Sequence, residues 1–170
     1  MLLLKQVVDT SLLGGTASRR YVECLNEFSL GIGNVEGALT DDVIRQYSEA
    51  CEHYYEPFMK QHEYMLENAL VSFVFRGLFP FNGPDSLFEN YVKLVVHYAL
   101  LRTYLIGMAG HHKESFSTAH VIKLVQSFAK TIEHNDRYLK QLHTQLMSTG
   151  SATMAYMALL INSGSSGQFV

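Results

Sequence analysis

The chain has 170 residues, of which 48% are hydrophobic and 17% are charged, and its net charge is −3 when the histidines are neutral. This size suits one domain that buries most of its apolar surface, and the composition excludes an intrinsically disordered chain. The basic residues are scattered rather than gathered into one stripe, so nothing favours binding to nucleic acid.

Two cysteines, Cys24 and Cys51, are too few for a disulfide framework or for a cysteine-ligated metal centre built by this chain. Charged residues interrupt each apolar run before it reaches the ~18 residues of a membrane span. The first residues lack the basic lead of a secretory signal. We therefore expect a cytoplasmic protein that does not bind membranes.

The first third of the chain is expected to form three helices. The apolar segment Leu2–Leu13 gives the first. Thr16 or Ser18 can cap the second, and the glycines from Gly31 onward would end it. The third begins at Thr40 and runs to Tyr54 and Tyr55.

The range Pro57–Phe81 carries the strongest helical pattern. Its apolar residues recur at helical spacing and spread almost around the whole circumference. Pro57 suits a first helical turn, while Gly77 and Pro80 supply a stop. Because a helix that is apolar nearly all round needs neighbours on every side, we predict that this segment is the central helix of the fold.

Four more helices are expected in the rest of the chain. Ser86 begins a long helix with a capping box, and Gly107 with Gly110 would end it. Further helices are expected from Ser117, from Asn135 and over Met154–Ile161. The pattern as a whole predicts an all-α, single-domain helical bundle of about seven or eight helices around a central apolar helix. Residues 1–162 form this domain, and the Gly- and Ser-rich residues 163–170 form a flexible tail.

Side chains that could carry chemistry are concentrated between Glu49 and Glu67. This group lacks the spacings of zinc-protease and di-iron helices, so we predict no metal site, and a metal-dependent hydrolase is only a minor alternative. Polar residues beside the predicted central helix could either line a pocket or make buried structural hydrogen bonds, and the pattern leaves both open. These residues are His62, Tyr64, Asn68 and Arg76.

Several sequence features follow one another in an order that resembles the C-terminal half of the bacterial flagellin lysine-N-methylase family. The resemblance covers nearly the whole chain. Its features are Pro57, Phe58, the triplet His62, Glu63 and Tyr64, Asn68, the Phe79–Pro80 turn, the Tyr-rich helix after Leu87, and the corner Glu133, His134 and Asn135.

The resemblance implies methylation of flagellin lysines with S-adenosylmethionine as the methyl donor. It implies an iron–sulfur cluster only in a cysteine-rich N-terminal half that this sequence lacks, and it makes flagellin and that absent half the partners. We expect the present chain to bind substrate or to shape the active site, and to be inactive alone. The candidate substrate or pocket residues are His62, Glu63, Tyr64, Asn68, Arg76 and His134, and no catalytic role is assigned. The alternative is a non-enzymatic helical module that binds a ligand or a partner helix.

Overall fold

The computed structural model describes residues 18–34, 40–77, 86–133, 144, 146, 148, 150 and 152–162. Six helices and no strand occur in these residues, which confirms the all-α fold. The number is lower than the seven or eight expected. The expected helix at Leu2–Leu13, most of the one from Asn135 and the tail lie outside the described residues, although Leu146 is described and fully buried.

The first two helices pack against the same long helix, Leu87–His112. Helix α1, Arg19–Gly31, begins where the Ser18 hydroxyl accepts a hydrogen bond from the Tyr21 N–H. Helix α2 comprises Thr40–Ala50, a π-helical turn at Cys51–Tyr55 and a last turn at Glu56–Met59.

Pro57 therefore lies inside the last turn of α2, and the prediction that it starts a new helix is wrong. The wider turn explains how the helix passes a residue that has no N–H, because the Glu56 N–H reaches back to the Cys51 carbonyl over five residues. The chain then turns, and helix α3 covers Tyr64–Arg76.

Helix α4, Leu87–His112, is the central helix of the fold and continues into a 3₁₀ turn at Lys113–Ser115. Every residue from 99 to 109 is buried, whereas α3 buries only Leu66 and Ala69 below the surface. A central apolar helix is thus confirmed, but its assignment to Pro57–Phe81 is wrong. In α3 the polar residues interrupt one face, while α4 is buried on every side over three turns, with Arg102 and Thr103 as the polar residues among apolar ones.

The last two helices complete the bundle around α4. Helix α5, Thr118–Phe128, starts with a capping box between Ser117 and His120 and continues as a π-helical turn at Ala129–Glu133. Helix α6, Met154–Asn162, confirms the expected last helix and packs against α4 through the fully buried Met157.

By length and composition alone, α4 and its following turn, Leu87–Ser115, could cross a membrane. The expectation that charged residues would disqualify every stretch is therefore wrong for this helix. However, 83% of the apolar window is buried inside the fold, so its composition is accounted for by its place in the core.

Helices α1 and α4 touch backbone to backbone where glycines replace side chains. A Cβ on Gly110 would lie 2.6 Å from the carbonyl oxygen of Gly31, and a Cβ on Gly107 would lie 2.8 Å from the Phe28 carbonyl oxygen. The prediction that Gly107 and Gly110 end the helix is wrong, because α4 continues to His112 and ends at Lys113, whose φ is +51°. The glycines are needed for close approach instead.

His97 joins three helices inside the core. Its ring stacks on Phe73 of α3 at a centroid distance of 4.1 Å and meets Phe128 of α5 edge-on at 5.0 Å. Burial, and secondarily the charge of Arg76, lowers the pKa of His97 to about 4. The imidazole is therefore neutral at neutral pH and acts as an aromatic packing residue.

Replacing Gly107 with alanine should destabilise the fold by about 1–3 kcal/mol, because the added methyl group overlaps the α1 backbone. In an exposed helix the same change would stabilise the protein by about 1 kcal/mol through helix propensity. Urea denaturation shows directly whether the substitution raises or lowers the free energy of unfolding. A Gly107→Ala variant that is more stable than the wild type would contradict the close contact of α1 with α4.

Acid should destabilise the protein through His97 between about pH 6.5 and pH 4. In this window the unfolded chain binds a proton that the folded chain does not, so the free energy of unfolding falls by about 3 kcal/mol from this group. His97→Leu removes that dependence. The check is denaturant unfolding of both proteins at several pH values, and a wild type–variant difference that stays constant from pH 7 to pH 4 would refute it.

Candidate functional site

The turn between α2 and α3 carries the histidine of the sequence motif. His62 is half-buried, its Nδ1 lies 2.8 Å from the Phe58 carbonyl oxygen, and its ring stacks on the Phe58 ring at 4.2 Å. Nδ1–H is therefore the donor, and the ring orientation is fixed by the preceding helical turn.

The other motif residues lie on the open surface of α3. Glu63, Asn68 and Arg76 are exposed, and the side chain of Tyr64 is 53% exposed. The alternative that these residues make buried structural hydrogen bonds is therefore wrong for Tyr64, Asn68 and Arg76. His134 lies outside the described residues.

Helix α3 presents a row of four exposed residues opposite its core-facing side. Tyr64, Asn68, Val71 and Phe75 recur at intervals of four, three and four residues, which places them along one face of the helix. Val71 is 44% exposed and Phe75 is 75% exposed. We call these four residues the outer row of α3.

Acidic residues are concentrated on α2 and on the start of α3. Seven acidic and two basic residues occur between residues 41 and 67, an excess of five negative charges that exceeds the net −3 of the whole chain. Six of the seven carboxylates are exposed, and the seventh, Asp42, pairs with Arg45 at 2.8 Å. These seven residues, which we call the acidic surface, are Asp41, Asp42, Glu49, Glu52, Glu56, Glu63 and Glu67.

A series of ring contacts runs from the motif to the C-terminal end of α4. Phe58 meets Phe116 edge-on at 4.9 Å, Phe116 stacks parallel to His120 at 5.8 Å, and His120 stacks on His112 at 3.8 Å. The series therefore couples the ends of α2, α4 and α5. Burial, and then the neighbouring His112, lowers the pKa of His120.

The end of this series is tied to α1 by a carboxylate. Glu27 is 3.1 Å from Nε2 of His112 and 2.9 Å from Nζ of Lys123, which also lies 3.3 Å from Glu23. Burial acts to raise the pKa of Glu27, but the hydrogen bonds from Lys123 and His112 outweigh it and lower that pKa. We assign this cluster to stability, since its members satisfy one another.

The sequence motifs do not single out His112, His120 or Glu27. One signal was available, because His120 follows Ser117 at the spacing of a capping box. The Glu27 contacts span 85 and 96 residues along the chain, so no local spacing rule reveals them.

A second polar cluster lies in the core beneath α2. The Arg102 guanidinium lies 5.8 Å from the centroid of the Tyr55 ring. Burial raises the pKa of Tyr47 to about 12 and also raises the pKa of Tyr55. Both phenols are therefore protonated at neutral pH, and Tyr55 stabilises Arg102 through its ring rather than as an anion.

The two thiols cannot act as ligands or nucleophiles in this arrangement. Cys24 of α1 is buried against Ser127, and Cys51 of α2 is buried near Glu56 of the same helix. Burial raises the pKa of Cys24, and it raises the pKa of Cys51 to about 11. Within the described part of the chain, no group of three or more His, Cys, Asp or Glu side chains converges on a possible metal position.

The fold and this surface define an all-helical domain with an acidic, partly apolar face. The family profile of the FliB lysine N-methylase C-terminal domain matches residues 1–160. The chain therefore belongs to the FliB lysine N-methylase C-terminal domain family. No curated protein matches the chain, and no solved structure does.

Replacing Glu27 with glutamine should destabilise the protein by about 1–2 kcal/mol, because Lys123 and His112 both lose a charged acceptor. Since folding lowers the pKa of Glu27, its contribution is full above the unfolded pKa and disappears as the pH falls through the folded pKa. Thermal or urea unfolding at pH 7 and at pH 3 measures this. Equal losses at both pH values would show that the charge of Glu27 is not what stabilises the cluster.

Proposed function

We propose that this domain binds flagellin for S-adenosylmethionine-dependent methylation of flagellin lysines, and that it is inactive by itself. Membership of the lysine N-methylase C-terminal domain family supports the reaction class. The single observation that carries the binding role is the acidic surface, because a face with five excess negative charges attracts a protein that presents lysines.

The same surface argues for binding rather than for chemistry at this place. Methyl transfer requires a neutral amine, whereas exposed carboxylates stabilise the charged ammonium form of lysine. The exposed positions of Glu52, Glu63 and Glu67 therefore suit the first encounter with substrate. Deprotonation belongs in a drier site that lowers the pKa of the lysine.

The methyl donor fits this surface poorly. An adenosine group needs a recess with apolar walls, whereas the carboxylates of α2 and α3 lie open to solvent. An iron–sulfur cluster needs several thiolates, but Cys24 and Cys51 are separated, buried and protonated. These observations support a methyl-donor site away from the acidic surface and an iron–sulfur cluster that Cys24 and Cys51 do not ligate.

Removing two carboxylates from α2 should weaken the binding of monomeric flagellin. We expect Glu49→Gln with Glu52→Gln to raise the Kd about fivefold at low salt, and we expect the wild-type affinity to fall as ionic strength rises. The matched control is Ala119→Lys with Gln126→Lys, which also changes the net charge by two positive units but does so on exposed positions of α5. Calorimetry measures the Kd for flagellin of the wild type and of both double variants.

The outcomes separate the candidate functions. Equal losses in the two double variants would show a net-charge effect and contradict recognition by the acidic surface. No flagellin binding by the wild type, together with a small apolar molecule retained by the purified protein, would favour the non-enzymatic binding module. Transfer of methyl groups to flagellin by the chain alone with S-adenosylmethionine would refute its inactivity.

A further inference from the structure

The outer row of α3 leaves large side chains exposed to solvent, although this helix already packs on the core through its opposite side. Leu66, Ala69 and Phe73 already face the core from the opposite side of α3. Among the described residues Phe75 therefore contributes little to the packing, since it is three-quarters exposed, and Val71 is 44% exposed. An apolar row that is rimmed by polar side chains marks an interaction surface in a soluble domain.

The negative charge along one edge of this row indicates which kind of partner it binds. Glu63 and Glu67 are one turn apart, exposed, and lie along the same edge of the outer row. They continue the acidic surface of α2 onto α3. A partner helix on this row would therefore place apolar residues against Tyr64, Val71 and Phe75 and basic residues beside the two carboxylates.

We infer that the outer row of α3 is the docking surface for a lysine-bearing amphipathic helix of flagellin, an inference that rests on the proposed function. The spacing suits this binding mode, because a helix that lies along another offers apolar side chains at intervals of three, four and seven residues. Phe75 and Tyr64 act as the aromatic anchors, and Glu63 with Glu67 selects lysine at the edge.

A second copy of this chain is a poorer occupant of the same row. Each copy carries the exposed carboxylates Glu63 and Glu67 along the row, so bringing two such rows together opposes self-association. A basic partner helix removes that repulsion and replaces it with attraction. The charge pattern therefore favours flagellin over a homodimer.

The test compares the binding of monomeric flagellin by Phe75→Ser, Val71→Ser and a control, Leu159→Ser. Leu159 lies on α6 and is 52% exposed, so the control removes a comparable exposed apolar side chain elsewhere. We expect Phe75→Ser to raise the Kd tenfold or more and Val71→Ser about threefold, while Leu159→Ser changes it less than twofold. Circular dichroism shows whether each variant is folded. If Phe75→Ser does not fold, the Kd of Val71→Ser decides the test.

Each outcome has a separate meaning. Flagellin binding by the wild type that neither α3 variant weakens would overturn the docking surface and leave the proposed function intact. Failure of the wild type to bind flagellin would overturn both. Sedimentation of the free domain as a dimer that Phe75→Ser dissociates would also overturn the inference, because the row would then serve self-association.

Discussion

The close contact between α1 and α4 is the constraint on which the rest of the domain depends. Gly31 at the end of α1 and Gly107 with Gly110 in α4 allow the two backbones to approach without intervening side chains. Together with α2, α3, α5 and α6, which pack on the rest of α4, this contact encloses residues 99–109. Because α4 is enclosed in this way, its position in the core accounts for its apolar composition.

The position of α4 determines which surfaces remain free. Helix α3 reaches it mainly through Leu66, Ala69 and the stack of Phe73 on His97, so its opposite face stays exposed. Helix α2 buries Tyr55 and Met59 and turns its carboxylates outward. The carboxylates of α2 and the outer row of α3 therefore both stay exposed, because each helix buries only the side that faces the core.

The sequence predicted the fold class and most helix starts, because caps such as Ser18, Ser86 and Ser117 are local signals. It misplaced the centre of the fold. In isolation α3 and α4 both look apolar, and only tertiary packing shows that Phe75 faces solvent while Arg102 is enclosed. Gly107 was misread for the same reason, since its role depends on a helix some 80 residues earlier in the chain.

The most direct test of this account is hydrogen exchange of the free domain and of its complex with flagellin. The account predicts that amides of residues 99–109 exchange slowest, through global unfolding, while those of α3 exchange faster and slow down when flagellin binds. Amides of α3 that exchange as slowly as those of α4 in the free domain, with no further protection by flagellin, would contradict it.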